Sequence, residues 1–131
     1  ASDVYKRQII HIVREETISI VKLGPGVVDN YEDALNLSKE TGNDIFIYFG
    51  ADWCSYCKLM KKNTLEDKNV KEYLLKNYVV LYVDVDNDKK LKDQYKVGPI
   101  PECVIIDSDE KIIKRSTGYK PPDKFLKFTK D

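Results

Sequence analysis

Cys54 and Cys57 are the two residues of this sequence whose type and spacing point most directly to chemistry. Thiols three positions apart lie about one helical turn from each other, so the second sulfur can reach the first and close a disulfide. Disulfide exchange requires a thiolate, whereas a free cysteine at neutral pH is mostly protonated. A helix N-terminus favours the thiolate, because it supplies unpaired N–H groups and the positive end of the helix dipole. A redox dithiol is therefore predicted if a helix begins near Cys54.

The elements predicted around the dithiol meet this condition. Residues 45–49 form a continuous apolar run of strand length, which is typical of a central strand buried on both faces. A helix is predicted to begin within residues 52–58 and to run towards residue 63. The order strand, Trp-Cys-x-x-Cys, helix indicates redox chemistry far more specifically than a Cys-x-x-Cys pair alone.

Apolar periodicity predicts the remaining elements. We expect helices over residues 31–41, 69–76, 89–95 and 123–129, and strands over residues 78–84, 103–106 and 111–115. Helices between strands force parallel crossovers, whereas the turn at residues 107–110 joins the last two strands as an antiparallel hairpin. The predicted fold class is α/β, with a mixed central β-sheet flanked by helices on both faces.

Helix caps can be assigned from the sequence as well. Asn30 or Asp29 is available to cap the first helix, and Gly42 ends it. Asn69 and Glu72 have the spacing of a capping box, so the helix over residues 69–76 is expected to start there.

The chain divides into three predicted segments. Residues 1–8 resemble an in-frame translation of a transposase adapter used in sequencing libraries, and we expect them to be a non-native leader. Residues 9–26 contain two β-rich runs and end in a Gly-Pro-Gly turn, which predicts an N-terminal β extension. Residues 27–131 are the main domain.

Composition narrows the function classes. Hydrophobic residues make up 42% of the 131 residues, which favours one globular domain over a disordered chain. The 22 basic residues equal the 22 acidic ones, so no net field recruits nucleic acid. No apolar run of this chain reaches the length of a membrane span. Three cysteines are too few for a disulfide scaffold.

Two segments resemble the signatures of the thioredoxin family. Residues 49–58, Phe-Gly-Ala-Asp-Trp-Cys-Ser-Tyr-Cys-Lys, are similar to its active-site segment, and residues 95–101, Tyr-Lys-Val-Gly-Pro-Ile-Pro, to its second signature. The resemblance runs from about residue 31 to residue 128. It is strongest to the branch that contains the C-terminal domain of bacterial thiol:disulfide interchange proteins and related small reductases. The resemblance implies a thioredoxin fold and a thiol-disulfide oxidoreductase.

The resemblance also assigns roles to individual residues. It implies that Cys54 is the exposed nucleophile and that Cys57 is the buried resolving thiol. It implies that Trp53 shields the edge of the site. Protein disulfides would be the substrates and a partner protein the electron donor, with no metal or organic cofactor. A monomer is expected, and the branch favours an extracytoplasmic, periplasmic location over the cytoplasm.

Three further residues are expected to bind substrate on the same basis. Pro101, in the cis form, would face the disulfide, and the backbone of Ile100 would pair with an extended substrate segment. Gly118 would allow the partner chain to approach closely.

The sequence departs from the family pattern at three positions. Tyr48 stands where thioredoxins place a buried aspartate that assists proton transfer from the resolving thiol, and Tyr82 aligns with the lysine that often accompanies it. Glu102 replaces the usual threonine after the cis-proline. The proton route of the resolving step therefore has two candidates, Glu102 and water.

Other interpretations of the cysteines were weighed. Cys54, Cys57, Cys103 and His11 could together supply four zinc ligands, although two of them come from remote segments. Cys103 is expected to be a small buried hydrophobe, with a third redox group as the alternative. A binding or adaptor module with incidental turnover is the alternative to an enzyme, and Tyr48 and Tyr82 are its main support.

Other residues received structural interpretations. Asp84, Asp86 and Asp88 resemble a calcium cluster but lack the glycine and distal glutamate of an EF-hand, which favours solvated charges at the end of a strand. Tyr56 is expected to tune the redox potential and substrate contact. The lysines at positions 58, 61 and 62 favour a solvated helix face.

Deletion of residues 1–8 is expected to leave the melting temperature unchanged, because a leader outside the fold contributes no packing. Thermal unfolding of the full and shortened chains, measured side by side, checks this. A large drop in the shortened chain would contradict the assignment of a leader.

Overall fold

A computed structural model describes residues 27–131. The leader, the two β-rich runs within residues 9–26 and His11 lie outside the described residues. The elements, in chain order, are β1 (Val27–Val28), α1 (Tyr31–Thr41), β2 (Asp44–Gly50), α2 (Ser55–Met60), a π-helical turn (Lys61–Leu65), α3 (Lys68–Asn77), β3 (Tyr78–Asp84), α4 (Lys89–Gln94), β4 (Glu102–Ile106), β5 (Ile112–Thr117) and α5 (Pro122–Lys130).

The five strands form one sheet in the order β1-β3-β2-β4-β5. β1 and β2 run parallel to β3, whereas β4 is antiparallel to both β2 and β5. The helices α2 and α3 carry the chain from β2 to its parallel neighbour β3, and a tight turn joins β4 to β5. The predicted mixed sheet is therefore confirmed.

Helices cover both faces of the sheet, which gives two apolar layers. α1 and α4 pack on one face, and α2, α3 and α5 pack on the other. The alternating side chains of the central strand β2 enter both layers, with Ile45 and Ile47 in the first and Phe46 in the second. All three are fully buried, and this is why the strand appears in the sequence as an uninterrupted apolar run.

The cap of α1 is confirmed. The side chain of Asn30 accepts a hydrogen bond from the backbone N–H of Asp33, and Gly42 ends the helix in the left-handed conformation at φ 78°.

The capping box predicted for α3 is wrong. Asp67 is the N-cap, and its carboxylate accepts a hydrogen bond from the backbone N–H of Val70 at 3.1 Å. The helix begins at Lys68, so Asn69 already lies inside its first turn. Because the helix starts before Asn69, the free N–H groups of its first turn lie within reach of the Asp67 side chain.

The helix that begins within the dithiol changes from α-helical to π-helical geometry. It is α-helical only over Ser55–Met60 and continues as a π-helical turn over Lys61–Leu65. No helix within residues 27–131 combines the length and the apolar character needed to cross a membrane.

Asp67→Ala is expected to lower the free energy of unfolding by about 1 kcal/mol, because it removes the N-cap of α3. The melting temperature should fall by roughly 4–8 °C for a domain of this size. Asn69→Ala is the matched control and should remain within about 0.5 kcal/mol of wild type. Urea denaturation of both variants checks this, and a larger loss for Asn69→Ala would restore the capping box.

Candidate functional site

The dithiol lies where the central strand β2 gives way to helix α2. Cys54 has extended backbone angles, φ −90° and ψ 113°, and is the N-cap of α2. Its Sγ accepts a hydrogen bond from the backbone N–H of Cys57 at 3.1 Å. Sulfur thus takes the place of the oxygen that usually caps a helix. The Sγ of Cys54 is therefore held against the N–H groups that favour a thiolate.

Cys54 and Cys57 are joined in a disulfide, with their Cα atoms 5.2 Å apart. Cys54 is 7% exposed and Cys57 is 4% exposed. The exposure expected for Cys54 from the resemblance is therefore wrong for this oxidised site, while its role as the nucleophile stays a prediction. The Sγ of Cys54 is bonded to that of Cys57 and lies beside the carbonyl oxygen of Ile100.

The loop before β4 brings the second signature to the dithiol. The Ile100–Pro101 peptide bond is cis, as the resemblance implies. The Sγ of Cys54 lies 3.7 Å from the carbonyl oxygen of Ile100. The N–H of Gly118 donates to the carbonyl of Pro101 at 2.7 Å, and Gly118 has a φ of 97°. A side chain at Gly118 would strain this conformation. Cys54, Ile100, Pro101 and Gly118, which are expected to act together, are therefore neighbours.

Two large aromatic side chains next to the cysteines in sequence are exposed. Trp53 is 68% exposed and Tyr56 is 64% exposed, although both are large hydrophobic residues. The indole Nε1 of Trp53 donates a hydrogen bond to Oδ2 of Asp86 at 2.7 Å. This bond fixes the direction of the indole and leaves most of the ring open to a ligand.

The three aspartates after β3 have separate structural roles. Asp84 Oδ1 accepts from the backbone N–H of Asp86, and Asp88 is the N-cap of α4. Asp86 holds Trp53. Within residues 27–131, no group of three or more His, Cys, Asp or Glu side chains is placed to hold a metal ion. His11, one of the four zinc ligands considered, lies outside these residues.

Two tyrosines lie behind Cys57. The hydroxyl of Tyr48 donates to the carbonyl oxygen of Cys57 at 2.9 Å. Tyr48 on β2 is paired with Tyr82 on β3, and their rings meet edge to face at 5.9 Å. Burial, and then the neighbouring Cys103 and Tyr82, raise the pKa of the Tyr48 hydroxyl. Tyr48 therefore stays protonated and remains a hydrogen-bond donor at physiological pH.

Glu102 lies on the face of the sheet opposite to Tyr48. It pairs with Phe49 on β2, whereas the next residue, Cys103, pairs with Tyr48. Glu102 is 3% exposed, and its two carboxylate oxygens accept from Arg115 Nε at 2.6 Å and Thr117 Oγ1 at 3.0 Å. The carboxylate is thus occupied by partners from β5.

The same ion pair anchors the loop that contains Pro101. The Nη2 of Arg115 donates to the carbonyl oxygen of Tyr95, the first residue of that loop, at 2.8 Å. Because Glu102 directly follows Pro101, Arg115 connects both ends of the loop to β5.

Cys103 is buried in the apolar layer that includes Tyr48 and Phe46. Burial, and then the charge of Glu102, raise the pKa of the Cys103 thiol. A raised pKa leaves almost no thiolate, so the thiol is inert. The expectation of a small buried hydrophobe is confirmed.

Sequence reasoning missed three residues of the site: Asp86, Arg115 and Gly50. A Cβ at Gly50 would lie 3.0 Å from a ring carbon of Tyr48 and 3.5 Å from Cβ of Cys57, so a side chain there would push the Tyr48 ring away by a few tenths of an ångström. The sequence placed Asp86 only as a solvated charge at the end of a strand, and no local pattern connects it to the indole of Trp53, 33 positions away.

Comparison with known proteins agrees with this site. The profile of the thioredoxin-like domain matches residues 31–131. The chain is 30% identical over 105 residues to the disulfide bond reductase DsbH of Chlamydia pneumoniae. That alignment covers 71% of this chain and 63% of the relative, so it spans less than two thirds of the relative's length.

Solved structures give the same result. A structure of DsbH oxidoreductase superposes with a TM-score of 0.71 at 26% identity and covers 77% of this chain and 79% of that one. The oxidised C-terminal domain of DsbD from Neisseria meningitidis has a TM-score of 0.66 over 76% of this chain and 89% of its own, and at 23% identity it supports the fold alone. The chain therefore belongs to the thioredoxin-like family.

Proposed function

We propose that this thiol-disulfide oxidoreductase works as a reductase of protein disulfides. The observation that carries the proposal is the hydrogen bond from the backbone N–H of Cys57 to Sγ of Cys54, at the start of a helix and beside the cis Ile100–Pro101 bond. A sulfur held there is favoured as a thiolate, and the loop places a peptide backbone next to it.

The reaction balances as two thiol-disulfide exchanges. The thiolate of Cys54 attacks one sulfur of the substrate disulfide, and the other substrate sulfur leaves as a thiolate. The thiolate of Cys57 then attacks Sγ of Cys54 and releases the first substrate sulfur. The substrate gains two electrons and two protons in total, and Cys54 and Cys57 become the disulfide present in the structure. A dithiol protein that donates two electrons returns the pair to the reduced form.

Substrate binding is assigned to the surface around the dithiol. An extended substrate segment would pair with the backbone of Ile100 and lie across Pro101, while Gly118 leaves room beside it. Trp53, fixed by Asp86 and largely exposed, would cover one side of that segment. The binding surface combines backbone pairing with aromatic contact, and this suits protein substrates of varied sequence.

The remaining assignments follow from the family branch that the sequence resembles. We propose that the protein works as a monomer in an extracytoplasmic compartment and receives electrons from a partner protein. The complete upstream reading frame tests the compartment, because a signal peptide or membrane segment there would name it. Sedimentation of the purified chain tests the monomer.

A binding module is the second candidate function. Its support is the replacement of the buried acid behind Cys57 by a tyrosine, which removes the usual proton acceptor. In such a module Trp53 and Pro101 would present a groove to a partner, and turnover would be incidental.

Insulin reduction by dithiothreitol separates the two candidates. The wild-type chain should accelerate it, and Cys54→Ser should reduce the rate to that of dithiothreitol alone, because the attacking sulfur is gone. Cys57→Ser should accumulate a mixed disulfide with the substrate, visible by mass spectrometry. Cys103→Ala is the matched control, since it removes a cysteine from outside the dithiol.

Two results would count against the reductase. Wild-type activity no better than that of dithiothreitol alone would favour the binding module. Alkylation of Cys54 no faster than that of free cysteine near neutral pH would remove the helix-terminus argument itself.

Glu102→Gln separates an anchor from a proton acceptor. We expect the variant to lose roughly 1–3 kcal/mol of stability, because a buried amide then faces Arg115 in place of a carboxylate. The pH profile of disulfide exchange should not change, because both carboxylate oxygens already have partners. Glu72→Gln, on the exposed surface of α3, is the control. A shifted pH profile in Glu102→Gln alone would return Glu102 to the proton route.

A further inference from the structure

A cavity lies directly behind the resolving cysteine. Its volume is about 220 Å³, and Cys57, Tyr48 and Tyr82 contribute to its wall. The exposed residues Lys58 and Lys61 also line it, so it opens to solvent. The space is large enough for several water molecules and has the polar groups that hold them.

Tyr48 fixes the position of Cys57 at the edge of this cavity. The carbonyl oxygen of Cys57 accepts two hydrogen bonds, one from the Tyr48 hydroxyl at 2.9 Å and one from the backbone N–H of Lys61. Gly50 permits this arrangement, because a Cβ there would press on the Tyr48 ring at 3.0 Å. Tyr48 thus attaches the first turn of α2 to the central strand β2 at Cys57, the residue whose thiol must lose a proton in the resolving step.

Lys58 and Lys61 bring positive charge to the wall of the cavity, which also carries the carboxylates of Asp52 and Asp84. The Nζ of Lys61 lies 5.8 Å from the centre of the Tyr82 ring, the same ring that meets Tyr48 edge to face. Burial, and then the charge of Glu66, raise the pKa of Tyr82 to about 12, so neither tyrosine serves as a base near neutral pH. The titratable or charged groups around the cavity and behind Tyr48 are Tyr48, Asp52, Cys57, Lys58, Lys61, Glu66, Tyr82, Asp84 and Cys103.

We propose that this cavity is the proton exit of the resolving step, with Tyr48 as the residue that positions Cys57 and Lys61 as the cation that favours its thiolate. The inference rests on the proposed function and adds the route that replaces the family's buried acid. The Cys57 thiol gives its proton to water in the cavity, which passes it to solvent. The Cys57 thiolate attacks Sγ of Cys54, and the thiolate released from the substrate takes up a proton from solvent.

The two exchanges can be timed separately with the aromatic disulfide dithiobis(nitrobenzoate). Attack by Cys54 releases one coloured thiolate, and attack by Cys57 on the mixed disulfide releases the second. Stopped-flow absorbance therefore reports Cys54 in the first phase and Cys57 in the second. Each variant is measured across pH 5–9, in the region where thiols titrate.

Tyr48→Phe is expected to slow the second phase by roughly 3–10-fold, the range of one lost hydrogen bond. The first phase and the pH midpoint of the second should match wild type, because the hydroxyl positions Cys57 without exchanging a proton. Tyr78→Phe is the matched control, since its hydroxyl also donates to a backbone carbonyl, that of Thr129 at 2.7 Å, and Tyr78 begins β3 at the opposite end of the strand from Asp84.

Lys61→Met tests the charge and leaves the fold intact, because Lys61 is exposed. The pH midpoint of the second phase should rise, since the thiolate of Cys57 loses a nearby cation. Lys62→Met removes the neighbouring charge, which does not line the cavity, and should leave the midpoint unchanged.

The inference is overturned if Tyr48→Phe and Lys61→Met behave like their controls while wild type shows both phases. Absence of an enhanced first phase in wild type is a different result and contradicts the proposed function itself. The inference is supported if the second phase becomes slower in Tyr48→Phe and its pH midpoint rises in Lys61→Met. The first result supports the positioning role of Tyr48, and the second supports the electrostatic role of Lys61.

Discussion

The bond from the backbone N–H of Cys57 to Sγ of Cys54 is the interaction on which the site depends. It exists because a strand ends and a helix starts within a few residues, so that the first N–H groups of the helix have no partners in their own backbone. β2 lies in the centre of the sheet and is buried on both faces, which holds this junction in place. The Sγ of Cys54 therefore has two roles at the N-cap. It accepts a hydrogen bond from the first turn of the helix, and it is itself favoured as a thiolate.

The side of the site behind Cys57 is built from tyrosines rather than from an acidic residue. Tyr48 and Tyr82 meet edge to face at two of the positions where the sequence departs from the thioredoxin pattern. A neutral hydroxyl cannot accept the proton of Cys57 at physiological pH, but it can hold the backbone of that residue. Charged side chains line the cavity instead, with Lys58 and Lys61 on the helix side and Asp52 and Asp84 after the strands, and Lys61 lies over the Tyr82 ring. Positioning and electrostatics are thus carried by different residues.

The loop of residues 95–101 shows how distant segments complete the site. Arg115 on β5 binds Glu102 at one end of the loop and the carbonyl of Tyr95 at the other. This ion pair, in which Glu102 is buried and Arg115 is partly exposed, orients a backbone that the substrate is expected to meet. A carboxylate in a redox site would ordinarily be considered for proton transfer, and here both of its oxygens accept hydrogen bonds from β5, which favours a structural role.

Much of this architecture could be predicted from periodicity and turn residues. The apolar run of β2, the helix ended by Gly42 and the hairpin after β4 were each predicted, because local sequence dictates local conformation strongly where burial is continuous. The cap of α3 was misplaced, because Asp67 and Asn69 both suit a helix start and only the folded chain decides between them. The exposure expected for Cys54 was wrong: its sulfur is bonded to that of Cys57 and lies beside the carbonyl of Ile100, which is remote in sequence.

The sequence by itself determined the dithiol, its place between a strand and a helix, and the α/β fold class. These are local properties, set by spacing of three residues and by periodicities of a few positions. The tertiary structure alone decided that the Tyr48 hydroxyl reaches the Cys57 carbonyl, that Arg115 holds Glu102, and that Trp53 is fixed by Asp86. Each of these contacts joins residues from different elements, and its geometry follows from strand order and register, which no short stretch of sequence contains.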